Sequence, residues 1–584
     1  MRFLYPDTMS DIRATTRAWI DGDPDPVTRA ELTGLLDVDA LGELEDRMNG
    51  SLAFGTAGLR GVVEGGSNRM NRATVIRTTA GLAAYLVATT DPLDQLVVIG
   101  RDARPSSQSF MDDTIGVLAT SGFTVRYFSD PTPTPLVAFA GLSMGACASI
   151  VITASHNPRA DNGYKVYAGN GAQIIPPTDL GIAERIAEVG AANRVPRAAD
   201  PYADPDVAPI GPELFEDYLI SVAAVLPSVT GDRTISVVYT PMHGVGGKSV
   251  MAALARFGFK HVHPVARQFA PDGTFPTVSF PNPEEPGALD LAHELAQALD
   301  ADLVLASDPD TDRLAVSLPM PGGVWRPLTG NQIGCLLAEY LLGHGESGGR
   351  TAINSIVSTP MLGDIAAAHG ATWRQSLTGF KWIWNAALEL EDEGSGSLVL
   401  GFEEALGYSV GTTVRDKDGI SAAVAFAALA AEAAADGSIV LDRLGDLYRK
   451  YGIWVSTQVS IRREGSAGGD DIAEAMAGLR SEPPSSIAGI AVESFIDFSV
   501  GVNERPSYLG ATNLIELDLG DVGRVLARPS GTEPKLKIYV DLTTPFPDDG
   551  AWLAAEESLL AKANRVGESL QSWLENTMIH SGSD

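Results

Sequence analysis

Apolar positions along this chain come in short runs that alternate with longer amphipathic stretches, and Gly, Pro, Asp and Asn punctuate the junctions. Between residues 96 and 152 the rhythm is regular: strand 96–100, helix 107–121, strand 123–128, helix 134–142 and strand 148–152. It returns with strand 235–239, helices 248–257 and 288–299, and strand 303–306. A third set has helix 332–342, strand 352–357, helix 361–369, strand 397–400 and an alanine-rich helix 420–435. Such alternation predicts sheets layered with helices. The last region is more β-like, with strands 454–462 and 525–527, helices 470–479 and 552–577, and a short disordered tail. Residues 10–48 read as peripheral helices, with Thr28-Arg-Ala-Glu31 as a capping-box candidate. Asn162-Gly163 reads as a turn into a strand over 165–167, and the Pro-, Asp- and Ala-rich stretch 196–212 as a linker.

Composition narrows the class. A chain of 584 residues has room for about three to five domains. Cys147 and Cys335 are the only cysteines and form no metal pattern, which points to a reducing compartment. The N-terminus lacks the basic region and apolar run of a signal peptide. No stretch reaches the roughly 18 uninterrupted apolar residues of a membrane span, so the expected location is the cytoplasm. A formal net charge of −32 argues against nucleic acid and anionic membrane as partners. An anionic substrate would require the few basic residues to gather locally.

The loops at the strand ends carry the chemistry. The apolar strand 148–152 stops at Thr153-Ala-Ser155-His156-Asn157-Pro158, which sets a hydroxyl beside an imidazole where an open α/β sheet places its active groups. Ser155 is the candidate nucleophile; the plain alternative is an ordinary turn. Strand 303–306 runs into Ser307-Asp308-Pro-Asp310-Thr-Asp312-Arg313. Carboxylates at alternate positions suit a hard divalent cation such as Mg²⁺. An EF-hand is excluded, because its sixth and twelfth positions would hold Arg313 and Pro319. Phe54-Gly-Thr-Ala-Gly58-Leu-Arg60-Gly61 is a glycine-rich loop with one Arg, open to close ligand approach or a simple turn. Thr240-Pro-Met-His243-Gly-Val-Gly-Gly247 is weak evidence for phosphate binding. Glu403 and Glu404 end strand 397–400 and suit either sugar hydroxyls or a solvated turn, and 415–419 reads as a charged turn. Arg528-Pro-Ser530-Gly531-Thr532-Glu-Pro-Lys535-Leu-Lys537 joins a guanidinium, two hydroxyls and two ammonium groups, as a phosphate needs.

In order, Phe54–Gly61, Thr153–Pro158, Ser307–Arg313, Gly401–Tyr408 and Arg528–Pro534 resemble the loops of the α-D-phosphohexomutase superfamily. The similarity is strongest to phosphoglucomutase and phosphomannomutase, in the long subgroup that includes phosphopentomutases. It implies an α/β fold of four domains around a central cleft: three similar α/β domains and a smaller α+β C-terminal phosphate-binding domain. The expected divisions are 1–205, 206–326, 327–453 and 454–584. It also implies an intramolecular phosphotransferase acting on hexose phosphates, with phosphopentomutase or glucose-1,6-bisphosphate synthase as the alternative. Ser155 would be the phosphoserine, and Mg²⁺ would be held by Asp308, Asp310 and Asp312 against the Ser155 phosphate. Arg60, Lys165 and Arg313 would line the transfer site; His156 would belong to it without being assigned the base. Thr378, Gly379 and Lys381 match the specificity loop. Glu403 matches the sugar-hydroxyl ligand, while Ala405 stands where many hexomutases have Ser. Arg528, Ser530, Gly531 and Thr532 would clamp the non-reacting phosphate. Glucose 1,6-bisphosphate is the implied intermediate and activator. The partners implied are small sugar phosphates, with the chain a monomer or a dimer.

Overall fold

The computed structural model describes residues 9–55, 58–91, 93, 95–228, 233–344, 348–463, 468–530 and 535–581. They form two compact units, one of residues up to 327 together with 407–431, the other of 328–406 with the chain from 432 onward.

In the first unit three helices, Met9–Gly22, Pro26–Asp37 and Leu41–Met48, precede the first sheet. The second starts earlier than the Thr28 capping box would place it. Pro26 presets the helical φ, and Asp25 caps the end by accepting the Val27 N–H at 2.9 Å. Thr28 instead donates to Asp23 Oδ2 (2.6 Å), and Glu31 accepts the Gly65 N–H (2.9 Å).

The first sheet has six strands in the order Leu59–Val62, Asp161–Ala168, Ala148–Ile152, Leu96–Arg101, Thr124–Tyr127, Val207–Pro209. Its four right-hand members run parallel, and Asp161–Ala168 runs antiparallel to both neighbours. Ala148–Ile152 is buried throughout. Val97, Ile99, Ile150 and Ile152 share a core with Leu82 and Ile115 of the helices Arg72–Thr89 and Ser107–Thr120. Two expectations change here. Asn162-Gly163 is not a turn but lies inside a strand. A Cβ at Gly163 would sit 2.5 Å from the Thr153 carbonyl oxygen and 2.7 Å from that of Leu59, so the glycine permits close strand packing. The stretch 196–212 is not a free linker either: Val207–Pro209 adds the edge strand, where a proline costs no ladder bond.

The second sheet runs Val324–Pro327, Ala315–Met320, Leu303–Ala306, Val237–Thr240, Val262–Pro264. It repeats the first sheet's central plan. Leu303–Ala306 lies parallel to Val237–Thr240 and antiparallel to its return strand Ala315–Met320. In both sheets the central strand therefore delivers a loop at its C-terminal end, between two partners that hold it.

In the second unit, Thr372–Ser376, Arg350–Ser355 and Ser397–Glu403 are parallel neighbours in that order, joined by the helices Met361–Ala368 and Phe380–Asp392. Strand 397–400 is longer than its apolar run because it continues through Glu403. An antiparallel sheet follows: Ile453–Arg462, Lys535–Thr544, Gly523–Pro529, Ile515–Asp518, Ser494–Asp497. The last helix, Trp552–Ser581, continues through the residues expected to be disordered as far as Ser581. No single helix among the described residues is long and apolar enough to cross a membrane. The alanine-rich segment is the helix Gly419–Ala435, largely buried.

Candidate active site

Ser155 follows the buried strand with φ 53°, in the left-handed region that a residue with a Cβ adopts only when its surroundings enforce it. Its N–H donates to Thr153 Oγ1 (2.9 Å). The enforcing group is Arg104, at 3% exposure, which sequence reasoning passed over. All five of its N–H donors are used: Nε on Asp102 Oδ2 (3.1 Å), Nη1 on the carbonyls of Pro158 (2.6 Å) and Asp161 (2.8 Å), and Nη2 on those of Ser155 (2.9 Å) and Asn157 (2.7 Å). Asp102 is fixed in turn by the Arg104 N–H and the Ser107 hydroxyl. The available signal was an acid and a base two residues apart in the loop after strand Leu96–Arg101.

The Ser155 hydroxyl donates to Asp308 Oδ2 (2.9 Å) and lies 3.1 Å from His156 Nδ1. Asp308, Asp310 and Asp312 are buried, and each places an oxygen within 4.8 Å of the others. Thr311, at φ 64°, turns the loop, and Asp308 Oδ1 accepts the Arg313 N–H (3.0 Å). The glycines of the 240–247 loop back this one: Cβ atoms at Gly244 and Gly246 would lie 2.5 Å from Pro309 Cα and from Thr311 Oγ1. That loop's composition thus allows close packing under the acidic turn.

Lys165, opposite Val151 in the ladder, reaches Asp310 Oδ2 (2.7 Å) and Asp312 Oδ2 (2.9 Å). Lys417 adds a second ammonium, 3.1 Å from Asp312 and 3.2 Å from Asp416. Asp416 is held by Tyr167 (2.6 Å) and Gln173 (3.0 Å). The charged turn 415–419 therefore supplies a site residue, which sequence spacing alone did not assign. Arg313 Nη2 lies 3.4 Å from His156 Nε2, and Arg60, opposite Gly163 in its ladder, contributes to the positive field on His156.

The electrostatics follow. Burial, then the charges of Asp310 and Asp312, push Asp308 well above the carboxylate range. Burial also opposes ionisation of Asp310 and Asp312, but the ammonium groups outweigh it and hold both below that range. The same pairing keeps Lys165 charged despite burial. Burial, then Arg313 and Arg60, lower His156, so its ring is neutral. Asp310 Oδ1 and Asp312 Oδ1 are buried with no hydrogen-bond partner. Unpaired carboxylate oxygens beside an Asp308 that resists ionisation fit a hard divalent cation, which would satisfy the orphans and let all three ionise.

In the second unit, Gly379 (φ 114°) donates its N–H to Glu403 Oε1 (2.6 Å), tying the turn before the helix Phe380–Asp392 to the strand end. Lys381 is not on a loop but in the first turn of the helix Phe380–Asp392, with Nζ 5.6 Å from the Trp382 ring. Thr378 Oγ1 is buried without a partner. Glu404 turns onto Ser355 (3.3 Å) and Ser358 (3.2 Å), so of the two acids it is Glu403 whose oxygen reaches the loop. Ala405 is half-buried. Burial raises Tyr539, and Glu404, Arg528 and Glu403 act on it in turn, which puts Arg528 and both acids near one phenol. The Ser530 N–H closes the hairpin on the Lys535 carbonyl (2.7 Å). Gly531 and Thr532 lie outside the described residues.

Models of the four phosphoglucomutase/phosphomannomutase domains match the chain: α/β/α domains I, II and III over residues 51–193, 216–320 and 329–451, and the C-terminal domain over 496–545. A probable phosphomannomutase of Haemophilus influenzae is 40% identical over 493 residues, spanning 83% of this chain and 96% of that one. The phosphopentomutase of Mus musculus is 35% identical over 567 residues, 91% of this chain and 90% of its own. Among solved structures, the Paramecium phosphoprotein parafusin, a phosphoglucomutase, superimposes with a TM-score of 0.67 at 18% identity, covering 89% of this chain and 95% of that one. This last likeness is one of fold.

Proposed function

Because this chain belongs to the phosphoglucomutase/phosphomannomutase family and is a phosphomutase, we propose that it interconverts hexose 1-phosphate and hexose 6-phosphate through phosphorylated Ser155 and a hexose 1,6-bisphosphate. The observation that carries this reading is the buried convergence of the Ser155 hydroxyl with three aspartates and the cations Lys165, Lys417 and Arg313. Direct transfer between two hydroxyls of one sugar is geometrically awkward, and a covalent phosphoenzyme divides it into two displacements. In the first, the Oγ–P bond of phosphoserine breaks as the sugar oxygen forms its bond to phosphorus, and the sugar hydroxyl's proton ends on the departing Ser155 Oγ. In the second, Ser155 Oγ forms its bond to the other phosphoryl group as that group's bond to the sugar oxygen breaks, and the Ser155 proton passes to the departing sugar oxygen.

Asp308, Asp310 and Asp312 would hold Mg²⁺, which supplies charge neutralisation beside the phosphoryl oxygens. Lys165, Lys417, Arg60 and Arg313 set positive charge around Ser155, and neutral His156 orients its hydroxyl. The Arg104 fork holds the loop backbone so that Oγ need not be repositioned at each transfer. In the second unit, Glu403 would accept sugar hydroxyls, with Thr378, Gly379 and Lys381 setting preference. Arg528, Ser530, Gly531 and Thr532 would take the non-reacting phosphate.

A second reading, a pentose 1-phosphate substrate, is favoured by Ala405, which offers no hydroxyl to a hexose, and by the likeness to the mouse phosphopentomutase. Purified protein treated with glucose 1,6-bisphosphate and Mg²⁺ should gain one phosphoryl group on Ser155 by intact mass. Full turnover by Ser155→Ala would sink both readings. A kcat/KM comparison on glucose, mannose and ribose 1-phosphates decides between them, and dominance of the ribose ester would replace the hexose assignment.

A further inference from the structure

A cavity of about 530 Å³ lies in the first unit, and none of its lining residues belongs to the Ser155 cluster. Its walls come from the helices Met9–Gly22 and Leu41–Met48 on one side, and from Arg72–Thr89 with the turn at 189–192 on the other. The first two helices precede residue 51, where the family match begins. Size alone makes it comparable to ligand pockets, which run to about 300–1,000 Å³. The polar groups make it more than a packing fault. Trp19 Nε1 and Arg77 Nε are both buried N–H donors without a partner. Arg77 bonds only the Val189 carbonyl through Nη2 (3.1 Å) and lies 5.8 Å over the Trp19 ring. Among the described residues it pairs with no carboxylate, in a chain with 74 acidic and 42 basic side chains. Burial alone depresses its basicity. The carboxylate that lines the cavity, Asp23, is already occupied by the Asp25 N–H and the Thr28 hydroxyl. Arg77 thus lines the recess with its charge unneutralised, and an anion bound there would supply the acidic partner it lacks.

We propose that this cavity binds a small organic anion, a carboxylate or phosphate monoester on a flat apolar body. Its acidic group would pair with the Arg77 guanidinium, and its body would lie against Trp19, Met48, Ala73 and Ala192. The site lies between the N-terminal helices and the first α/β domain, and none of its lining residues belongs to the Ser155 cluster, so it does not depend on which sugar is the substrate.

The test is isothermal titration calorimetry of the full chain with phenyl phosphate, benzoate and inorganic phosphate, on wild type, Arg77→Met, Gly190→Leu and Ser155→Ala. Gly190 lines the cavity, and a Cβ there meets nothing within 4 Å, so a leucine at this position adds bulk to the wall without a backbone clash at its Cβ. Saturable binding of phenyl phosphate or benzoate should weaken about tenfold or more in Arg77→Met and Gly190→Leu, and stay unchanged in Ser155→Ala. The stronger of the two ligands identifies the acid group. Unaltered mutase turnover shows that each variant is folded; if Arg77→Met is not, Gly190→Leu decides. Absence of saturable binding by either aromatic probe, or binding that Gly190→Leu leaves unchanged, overturns the proposal.

Discussion

Arg104→Lys separates the architecture of the Ser155 loop from its chemistry. Lysine keeps the positive charge beside Asp102 but offers three donors where arginine uses five, so at least two bonds to the loop are lost. A hydrogen bond to a charged group contributes about 1.5–3 kcal/mol, so the loss is about 3–6 kcal/mol before any water enters. With Arg104 at 3% exposure there is little room for water; some re-entry nonetheless sets the expectation at the lower end, about 3 kcal/mol. The released strain acts on Ser155, whose φ of 53° relaxes once its carbonyl is free. A displacement on the order of 1 Å at a reacting atom lowers rate about 100-fold. Arg104 bonds only backbone carbonyls and Asp102, so kcat should fall by that factor while KM for the sugar phosphate barely moves. Single-turnover phosphorylation of Ser155, followed by intact mass, and coupled steady-state rates measure the split; circular dichroism melting measures the stability. Wild-type kcat in a protein that melts earlier would show that other groups hold the loop. A raised KM at constant kcat would mean Arg104 touches substrate. Either result refutes the positioning argument.

Mg²⁺ should raise the melting temperature of the wild-type chain, by an increment equivalent to about 2.7 kcal/mol at a hundredfold excess over Kd, and Asp310→Asn should abolish the increment; an equal shift in the variant would remove the metal site. Gly330→Ala would drive a Cβ to 1.9 Å from the Glu404 carbonyl oxygen, so denaturant unfolding should register a loss of about 1–3 kcal/mol, and an unchanged midpoint would contradict the packing. Glu339 is pushed up by burial, but bonds from Lys450, His369 and Tyr451 outweigh this and hold it below its ordinary 4.5. The unfolded chain therefore binds more protons there, and the stability from Glu339 is present above about pH 4.5 and lost as pH falls through its folded value. Melting across that window should be less pH-dependent in Glu339→Gln, and an identical slope would show that the group does not contribute.

Much of this molecule is written locally. Strand 148–152 is legible because four of its five residues are small or β-branched apolar side chains in a short run, and Pro158 and the polar loop mark its end. The acidic loop 307–313, the basic loop 528–537 and their order are equally plain, since their composition is read from residues near one another in the chain. Tertiary structure decided what depends on distant partners. Asn162-Gly163 has turn composition, but the carbonyls of Thr153 and Leu59 crowd Gly163 and make it a strand residue. Thr28 has the spacing of a cap, yet Pro26 and Asp25 start the helix first. Arg104 and Lys417 look like solvated charges until the fold brings the carbonyls of 155–161 to one and Asp312 to the other. The common plan of the first two sheets is likewise invisible by residue identity, because a buried strand needs only apolar side chains of fitting volume, and many sequences meet that demand. Side-chain type thus reveals which groups can do chemistry. Which of them are desolvated, held and aimed at Ser155 is set by contacts between residues as far apart as 155 and 308, and no local pattern encodes those.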